Sequence, residues 1–400
     1  MISFEQAYQK VINNAVDFGT ETVSLHAANG RILAENIKAD RDFPPFNRST
    51  RDGIVCNYNS IKNGVKKLEV LGTIAAGSPT KELTDETSAY EIMTGAVVPE
   101  SGDTVIMYEE LEFNGKTVTL PKHIEKGQNI HLKGSDIKEN EVIVKAPHTI
   151  GAAEIGILAS VGKTDIKVKK LPKIAVISTG NELVDVSEKP APYQIRKSNT
   201  YSLKAILDSF KIEAEILHIP DQKEITEKSI QQALENFDVL LLSGGVSKGK
   251  YDYLPEVFDS CGVEKHFHKV LQRPGKPFWF GVHKPLTTTI FSFPGNPVST
   301  FAGCYMYFVP WLKKSFGLQV IENTAILEND FQPHPKLTRF IPVTLKTEGG
   351  KLMASQVNQN GSGDLTSLTM ADAFIRLSPK EDLYVKGTTV PFIATDHLRM

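Results

Sequence analysis

The chain has 400 residues, which is room for two to four domains with a sizeable core, and its 40% hydrophobic and 23% charged content is that of an ordinary soluble protein. A formal net charge of −2 supplies no global field to recruit nucleic acid or a membrane surface. No apolar run approaches the roughly 18 residues needed to span a bilayer, the N-terminus has no basic-then-apolar leader, and three scattered cysteines (Cys56, Cys261, Cys304) fit free thiols in a reducing cytoplasm.

Residues 1–20 read as an amphipathic helix, with Ser3 and Gln6 at capping-box spacing and Phe4, Ala7, Val11 and Ala15 on one face. A second helical stretch is expected from Leu25 to Ile37, before Phe43-Pro44-Pro45-Phe46-Asn47 breaks regular structure. Residues 46–137 are β-rich, with short β-branched runs (67–73, 104–110, 117–120) between Gly- and Pro-containing turns. The small-residue stretch Ile150 to Ser160 returns to a helical pattern, which makes the β-rich part an insertion between two halves of one helical domain. From Leu171 strands and helices alternate: strands at 173–178, 214–219 and 239–242, helices at 202–210 and 224–236. That alternation means a parallel sheet with helices on both faces. A further strand ends at Phe293, and the turn Pro294-Gly295-Asn296-Pro297 leads into a helical stretch from Ser299 to Phe316. Residues 323–400 read as a small β domain with turns at Gly349-Gly350 and Gly361-Ser362-Gly363.

The chemistry sits in the loops. Four of them, around Thr179-Gly180-Asn181-Glu182, Ser243-Gly244-Gly245-Val246-Ser247, Arg273-Pro274-Gly275-Lys276-Pro277 and Pro294-Gly295-Asn296-Pro297, fall within about one domain length. A strand that turns into a helix start presents unpaired N–H groups to an anion, so these loops suggest one phosphate- or oxyanion-binding crevice at the sheet's carboxyl edge. Five acids stand in or beside such turns: Asp52, Asp136, Glu182, Asp221 and Asp252. Carboxylates beside phosphate-binding turns are what a divalent cation needs. Arg273 and Lys276 flank a Pro-Gly turn and suit a tetrahedral oxyanion or a phosphate. No Cys-x-x-Cys pair and no Gly-x-Ser-x-Gly elbow is present, which argues against such a metal site and against a Ser–His–Asp hydrolase.

Taken in order, residues 44–53, Met93-Thr94-Gly95-Ala96-Val97-Val98-Pro99, Gly134-Ser135-Asp136-Ile137, residues 178–183, Ser198-Asn199, residues 243–253, residues 274–277 and residues 294–299 resemble the molybdopterin molybdenumtransferase family, which includes the E domain of gephyrin. The resemblance covers nearly the whole chain. It implies an α/β plus β multidomain fold. Its parts are an elongated helical domain (1–40 and 138–170), an inserted β domain (41–137), a doubly wound molybdopterin-binding α/β domain (171–322) and a C-terminal β-barrel-like domain (323–400). It implies a cytoplasmic homodimer that inserts molybdate into adenylylated molybdopterin and releases AMP. The adenylyltransferase of the same pathway is a candidate partner. Catalytic roles fall on Asp52, Asp136, Glu182, Asp221 and Asp252, with Asp52, Thr94 and Asp136 of one subunit facing Glu182 and Asp252 of the other. Asp252 and Glu182 would hold Mg²⁺. Substrate binding falls on Thr94, Gly95, Ser243, Gly244, Gly245, Ser247, Pro294, Gly295, Asn296 and Pro297, and molybdate binding on Arg273, Lys276, Arg339 and Ser362. The sequence departs from the family at Arg51, where Met is usual, at Lys248 and Lys250, and at Gln222 after Asp221. These changes add positive charge or remove negative charge, which would tighten anion binding or mark another oxyanion such as tungstate. The competing readings are a molybdopterin adenylyltransferase and a non-catalytic dimeric scaffold.

Overall fold

The structure, a computed structural model, describes residues 1–246 and 252–395, so Ser247, Lys248 and Lys250 lie outside the described residues. The chain divides into two compact units: Met1–Thr22, Gly30–Ile32 and everything from Lys167 onward form the first, and Val23–Asn29 with Leu33–Ile166 the second.

The first unit is built on a six-stranded sheet in the order Ala214–Ile219, Ile174–Thr179, Val239–Ser243, Thr288–Phe293, Trp279–His283, Glu264–His268. The first four are mutually parallel and the last two pair antiparallel. The three inner parallel strands are apolar and β-branched, and every residue in them is buried, as a sheet covered on both faces requires. Alternate residues feed opposite cores. Ile174, Val176, Val239 and Leu241 pack with Leu203, Ile206 and Leu207 of the Asn199–Ser209 helix. Ala175, Ile177, Leu240 and Leu242 pack with Ile230 and Leu234 of the Lys223–Asn236 helix and with Val257 and Phe258. The chain leaves Ile174–Thr179 for the strand on one side and later fills the other, so the winding reverses between Ile174–Thr179 and Val239–Ser243.

The expected helix 299–316 runs from Pro297 to Ser315 with a π-helical turn at Cys304–Phe308. Pro310 lacks an N–H and its ring would crowd the carbonyl four residues back, so the widened turn accommodates it within a continuing helix. The C-terminal region closes a five-stranded barrel: Thr338–Glu348 pairs with Lys351–Gln356 on one side and Ala373–Leu377 on the other, and Asn323–Leu327 and Thr389–Ala394 complete the ring. Ile341, Val343, Ile375, Leu377 and Phe392 fill it.

The second unit carries a six-stranded sheet from Gly53–Cys56, Lys67–Ile74, Ser88–Ile92, Thr104–Met107, Glu112–Asn114 and Thr117–Thr119, within the segment expected to be β-rich. The Ala152–Ser160 helix is also where expected.

Two helix expectations are corrected. The first helix has its capping box, with Ser3 Oγ accepting from the Gln6 N–H at 3.2 Å, but it stops at Ile12. Asn14 Nδ2 takes the Lys10 carbonyl at 2.7 Å, and Thr20–Ser24 is already a strand. Leu25 to Ile37 is not a helix: one 3₁₀ turn (Leu25–Ala27) is followed by Gly30 at φ +82°, which only glycine adopts freely, and then by strands Ile32–Leu33 and Ile37–Lys38. The stretches 1–40 and 138–170 therefore mix short strands with two nine-residue helices.

All three cysteines are free. Burial pushes the Cys56 thiol up to about 12 and raises Cys304 and Cys261 as well, which makes them packing residues and poor nucleophiles. No helix among the described residues is long and apolar enough to cross a membrane.

Candidate active site

A cleft of about 390 Å³ opens at the carboxyl ends of the parallel strands in the first unit, at the point where the winding reverses. Open α/β sheets bind ligands there. Ser178, Thr179, Gly180, Glu182, Asp221, Ser243, Gly244, Gly245, Asp252, Gly295 and Pro297 all line it. The structure thus brings together three of the five predicted carboxylates and most of the predicted phosphate-binding loops.

Four helices begin beside this cleft, at Asn199, Lys223, Leu254 and Pro297, and in none does the N-cap side chain bond the first turn. Asn296 spends its side chain elsewhere, donating from Nδ2 to Ser362 Oγ at 2.8 Å. Uncapped helix starts leave N–H groups and the positive end of the peptide dipoles for an anionic ligand, although at the Pro297 start the Val298 N–H is taken by the Ser362 carbonyl. The Gly-Gly loop fits closely under the Thr179 side chain: a Cβ on Gly244 or Gly245 would stand 2.9 Å from Thr179 Oγ1, and both glycines have positive φ. Thr179 Oγ1 is itself buried without a hydrogen-bond partner.

Asn199 ties the loops into one piece. Its Nδ2 lies 2.8 Å from Ser243 Oγ and 2.7 Å from the Gly295 carbonyl, and Thr300 Oγ1 donates to the Pro294 carbonyl at 2.6 Å. Ser243 and Thr300 hydroxyls meet at 3.2 Å. The predicted loops 243–245 and 294–297 are therefore braced by a network that sequence reasoning left out of the site. Arg196 and Lys197 also line the cleft and were likewise missed. A helix-initial Asn after Ser198 was the available signal for Asn199.

Two of the predicted oxyanion residues are neighbours in the first unit. Gln272-Arg273 pairs in parallel with Thr338-Arg339, so Arg273 and Arg339 are strand neighbours. Burial, together with the Arg273 charge, pushes the Arg339 pKa down. Arg339 donates to the Gln332 carbonyl. Two adjacent guanidiniums are unfavourable until an anion lies between them, and a tetrahedral dianion is the ligand they suit. The Ser362 carbonyl accepts from the Val298 N–H at 3.1 Å and its hydroxyl from Asn296. Lys276 lies in the same turn as Arg273, its carbonyl accepting from the Val270 N–H at 2.9 Å.

The remaining acids belong to the second unit. Asp52 Oδ1 accepts from the Thr94 N–H at 2.6 Å and the Thr94 hydroxyl at 2.8 Å. Gly95, at φ +84°, donates its N–H to the Ser49 carbonyl, which locks the two loops together. Gly53 is required because a Cβ there would fall 1.9 Å from the Ile106 carbonyl oxygen. Thr94 holds the Asp52 carboxyl below its ordinary range, mainly through its backbone N–H and then its hydroxyl. A depressed carboxyl contributes stability above its unfolded pKa of about 3.9 and loses it as pH falls through the folded value. A Thr94→Val variant, which keeps the N–H and removes the hydroxyl, should therefore raise the Asp52 pKa partway toward about 3.9. A carboxyl ¹³C NMR titration reads this directly, and an unmoved midpoint would overturn it. Asp136 accepts from His131 Nε2 at 2.7 Å and from Ser135 Oγ at 3.3 Å.

Among the described residues no group of three or more His, Cys, Asp or Glu side chains is gathered tightly enough to hold a metal by itself. His268 Nε2 lies 2.8 Å from the Val246 carbonyl.

Comparison with known proteins agrees with this geometry along the whole chain. Residues 2–162 match the MoeA N-terminal region (domain I and II), residues 175–314 a family described as "Probable molybdopterin binding domain", and residues 324–395 the MoeA C-terminal region (domain IV). The chain is 37% identical over 398 residues to the molybdopterin molybdenumtransferase of Synechocystis, covering 98% of this chain and 100% of that protein. It is 32% identical over 413 residues to that of Staphylococcus aureus strain Mu50, covering 99% and 96%. A crystal structure of the molybdopterin biosynthesis moea protein from Pyrococcus horikosii superposes with a TM-score of 0.82 at 29% identity, covering 98% of this chain and 99% of that one. With a cleft at the winding reversal, loops built for anions and relatives aligned from end to end, this chain belongs to the molybdopterin molybdenumtransferase family.

Proposed function

We propose that this protein inserts molybdate into adenylylated molybdopterin, with AMP as the leaving product. The observation that carries the reading is the cleft where Glu182, Asp221 and Asp252 meet the Gly244-Gly245 loop and uncapped helix starts. A phosphoanhydride needs N–H donors for its oxygens and a way to bear the charge of the departing phosphate, and this cleft supplies both kinds of group.

The Gly245 N–H and the Gly295 and Asn296 N–H groups of the Pro294–Pro297 turn hold the phosphates and nucleotide, while the Gly244 N–H is spent on the Phe293 carbonyl and fixes the loop. Asp252 and Glu182 would hold Mg²⁺. That cation keeps several waters and takes one or two carboxylates plus substrate phosphates, so the lack of a tight three-ligand cluster among the described residues does not count against it. When bound, it would offset charge on the leaving phosphate. Arg273, Lys276, Arg339 and Ser362 hold molybdate, and the paired arginines give that dianion its strongest recognition. As molybdenum bonds the two dithiolene sulfurs, one molybdate oxygen leaves as water with the two thiol protons, and a second water adds across the anhydride to give AMP and the molybdopterin phosphate. Asp52, kept ionised by Thr94, accepts hydrogen bonds and is unsuited to donate a proton near neutral pH.

The protein works as a homodimer, in which Asp52, Thr94 and Asp136 of one subunit serve the cleft of the other. The substrate is the product of an adenylylation, so the adenylyltransferase of the same pathway is the natural partner for hand-over.

The test is AMP release from adenylylated molybdopterin by the purified protein, with and without molybdate and Mg²⁺. Release that requires both is expected. ATP-dependent adenylylation of molybdopterin would favour the adenylyltransferase reading, and tight nucleotide binding with no release would favour a scaffold. Substituting tungstate reads the choice of oxyanion.

A further inference from the structure

We infer that His131 is a positioning residue for Asp136, acting through a one-way hydrogen-bond chain that starts at Arg48; this rests on the reading of Asp136 as a catalytic carboxylate. Strands Arg48–Ser49 and Ile130–His131 pair antiparallel, with His131 directly opposite Arg48. Directly opposed residues place their side chains on the same face. Arg48 Nη2 lies 3.2 Å from His131 Nδ1, and His131 Nε2 lies 2.7 Å from Asp136 Oδ1.

The direction of the chain follows from chemistry. A guanidinium has donors and no acceptor, so His131 Nδ1 must accept from Arg48. A neutral imidazole has one acceptor and one donor nitrogen, so Nε2 carries the proton and donates to Asp136. An imidazolium would have no acceptor left and would set a second cation against Arg48. Asp136 Oδ1 thus receives His131 Nε2–H, with the Ser135 hydroxyl at 3.3 Å on the same oxygen, which turns Oδ2 toward whatever else the carboxylate must meet.

The surrounding backbone holds this arrangement in register. The Thr50 N–H donates to the Asn129 carbonyl at 2.9 Å, the Lys133 N–H to Asn47 Oδ1 at 2.8 Å and the Asp136 N–H to the Phe43 carbonyl at 3.0 Å. The Asp136 side chain is 56% exposed and that of His131 29%. A pair this exposed adds little to folding, and the orientation of the carboxylate is what it contributes.

Two near-isosteres separate the roles of the ring nitrogens. Gln at 131 places an amide N–H near the Nε2 position and reaches Asp136. Asn keeps an oxygen near Nδ1 for Arg48 and falls short of Asp136. His131→Asn should lower kcat for molybdate-dependent AMP release about tenfold with KM for molybdate unchanged, a cost expected of a misplaced group. His131→Gln should stay within about threefold of the parent, and Asp136→Asn should lose about 100-fold. Adding His131→Asn to Asp136→Asn should cost nothing more. Thermal midpoints measured alongside identify any folding defect. If Asp136→Asn is impaired while His131→Asn matches the parent, or if Gln is as poor as Asn, the positioning role is overturned and the reading of Asp136 stands. If Asp136→Asn retains full activity, the reading of Asp136 fails and takes this inference with it.

Discussion

An Asp252→Asn variant should lose about two to three orders of magnitude in molybdate-dependent AMP release, because it removes the negative charge that would hold Mg²⁺ on the anhydride while keeping the side chain's shape. Asp252 lines the cleft two residues before the Leu254–Ser260 helix, whose start has no side-chain cap. The core beneath is apolar, with Leu254, Val257 and Phe258 buried, and Asn keeps the side chain's volume. The thermal midpoint should therefore move little. If Asp252 holds Mg²⁺, the concentration needed for half-maximal rate should also rise, so a Mg²⁺ titration separates loss of metal from loss of another function. Asp208→Asn is the matched control, since Asp208 sits on the far end of the Asn199–Ser209 helix in an exposed pair with Lys204 at 3.0 Å. Near-parental rates in Asp252→Asn with an unchanged Mg²⁺ requirement would remove this residue from the chemistry.

The strands that carry the cleft were legible because each ends abruptly. Ile174–Thr179, Val239–Ser243 and Thr288–Phe293 are apolar runs closed by Gly or Pro, and a fully buried parallel strand can look no other way. Glu182, Asp221 and Asp252 could be placed near one another because all three follow the same edge of one sheet. The segment 25–37 misled for the opposite reason: Leu25, Ile32, Leu33 and Ile37 satisfy helical spacing and equally well supply isolated residues to two-residue strands, and Gly30 decides between them through its left-handed φ. The braces around the site were out of reach of any local pattern. Asn199 reaches Gly295 across 96 positions, Thr94 reaches Asp52 across 42, and His131 meets Arg48 only because two two-residue strands fall in register. Closure of the C-terminal barrel is of the same kind, since it depends on Thr338–Glu348 taking a partner on each side.

If the active site is completed across a homodimer, two inactive variants should restore each other. An Asp52→Ala protein carries an intact cleft, with Glu182, Asp221 and Asp252 in place, and an Asp252→Asn protein carries an intact Asp52–Thr94 pair. Each homodimer has two defective sites. A heterodimer has one site in which both defects coincide and one in which neither is present. Random exchange of equal amounts makes about half of the dimers mixed, each with one good site of two, so about a quarter of parental activity should return. Asp52→Ala leaves the fold alone in this argument, because the carboxyl is exposed and its partner Thr94 sits on a loop fixed independently by the Gly95 and Ser49 backbones. The measurement is AMP release after the two variants are unfolded together and refolded, against the same amounts refolded apart and then combined. Recovery only in the co-refolded sample, approaching a quarter, is the expected result. No recovery from verified mixed dimers would mean that Asp52 serves the cleft of its own chain or none at all, and the shared-site reading would fall while the assignment of Asp252 stayed intact.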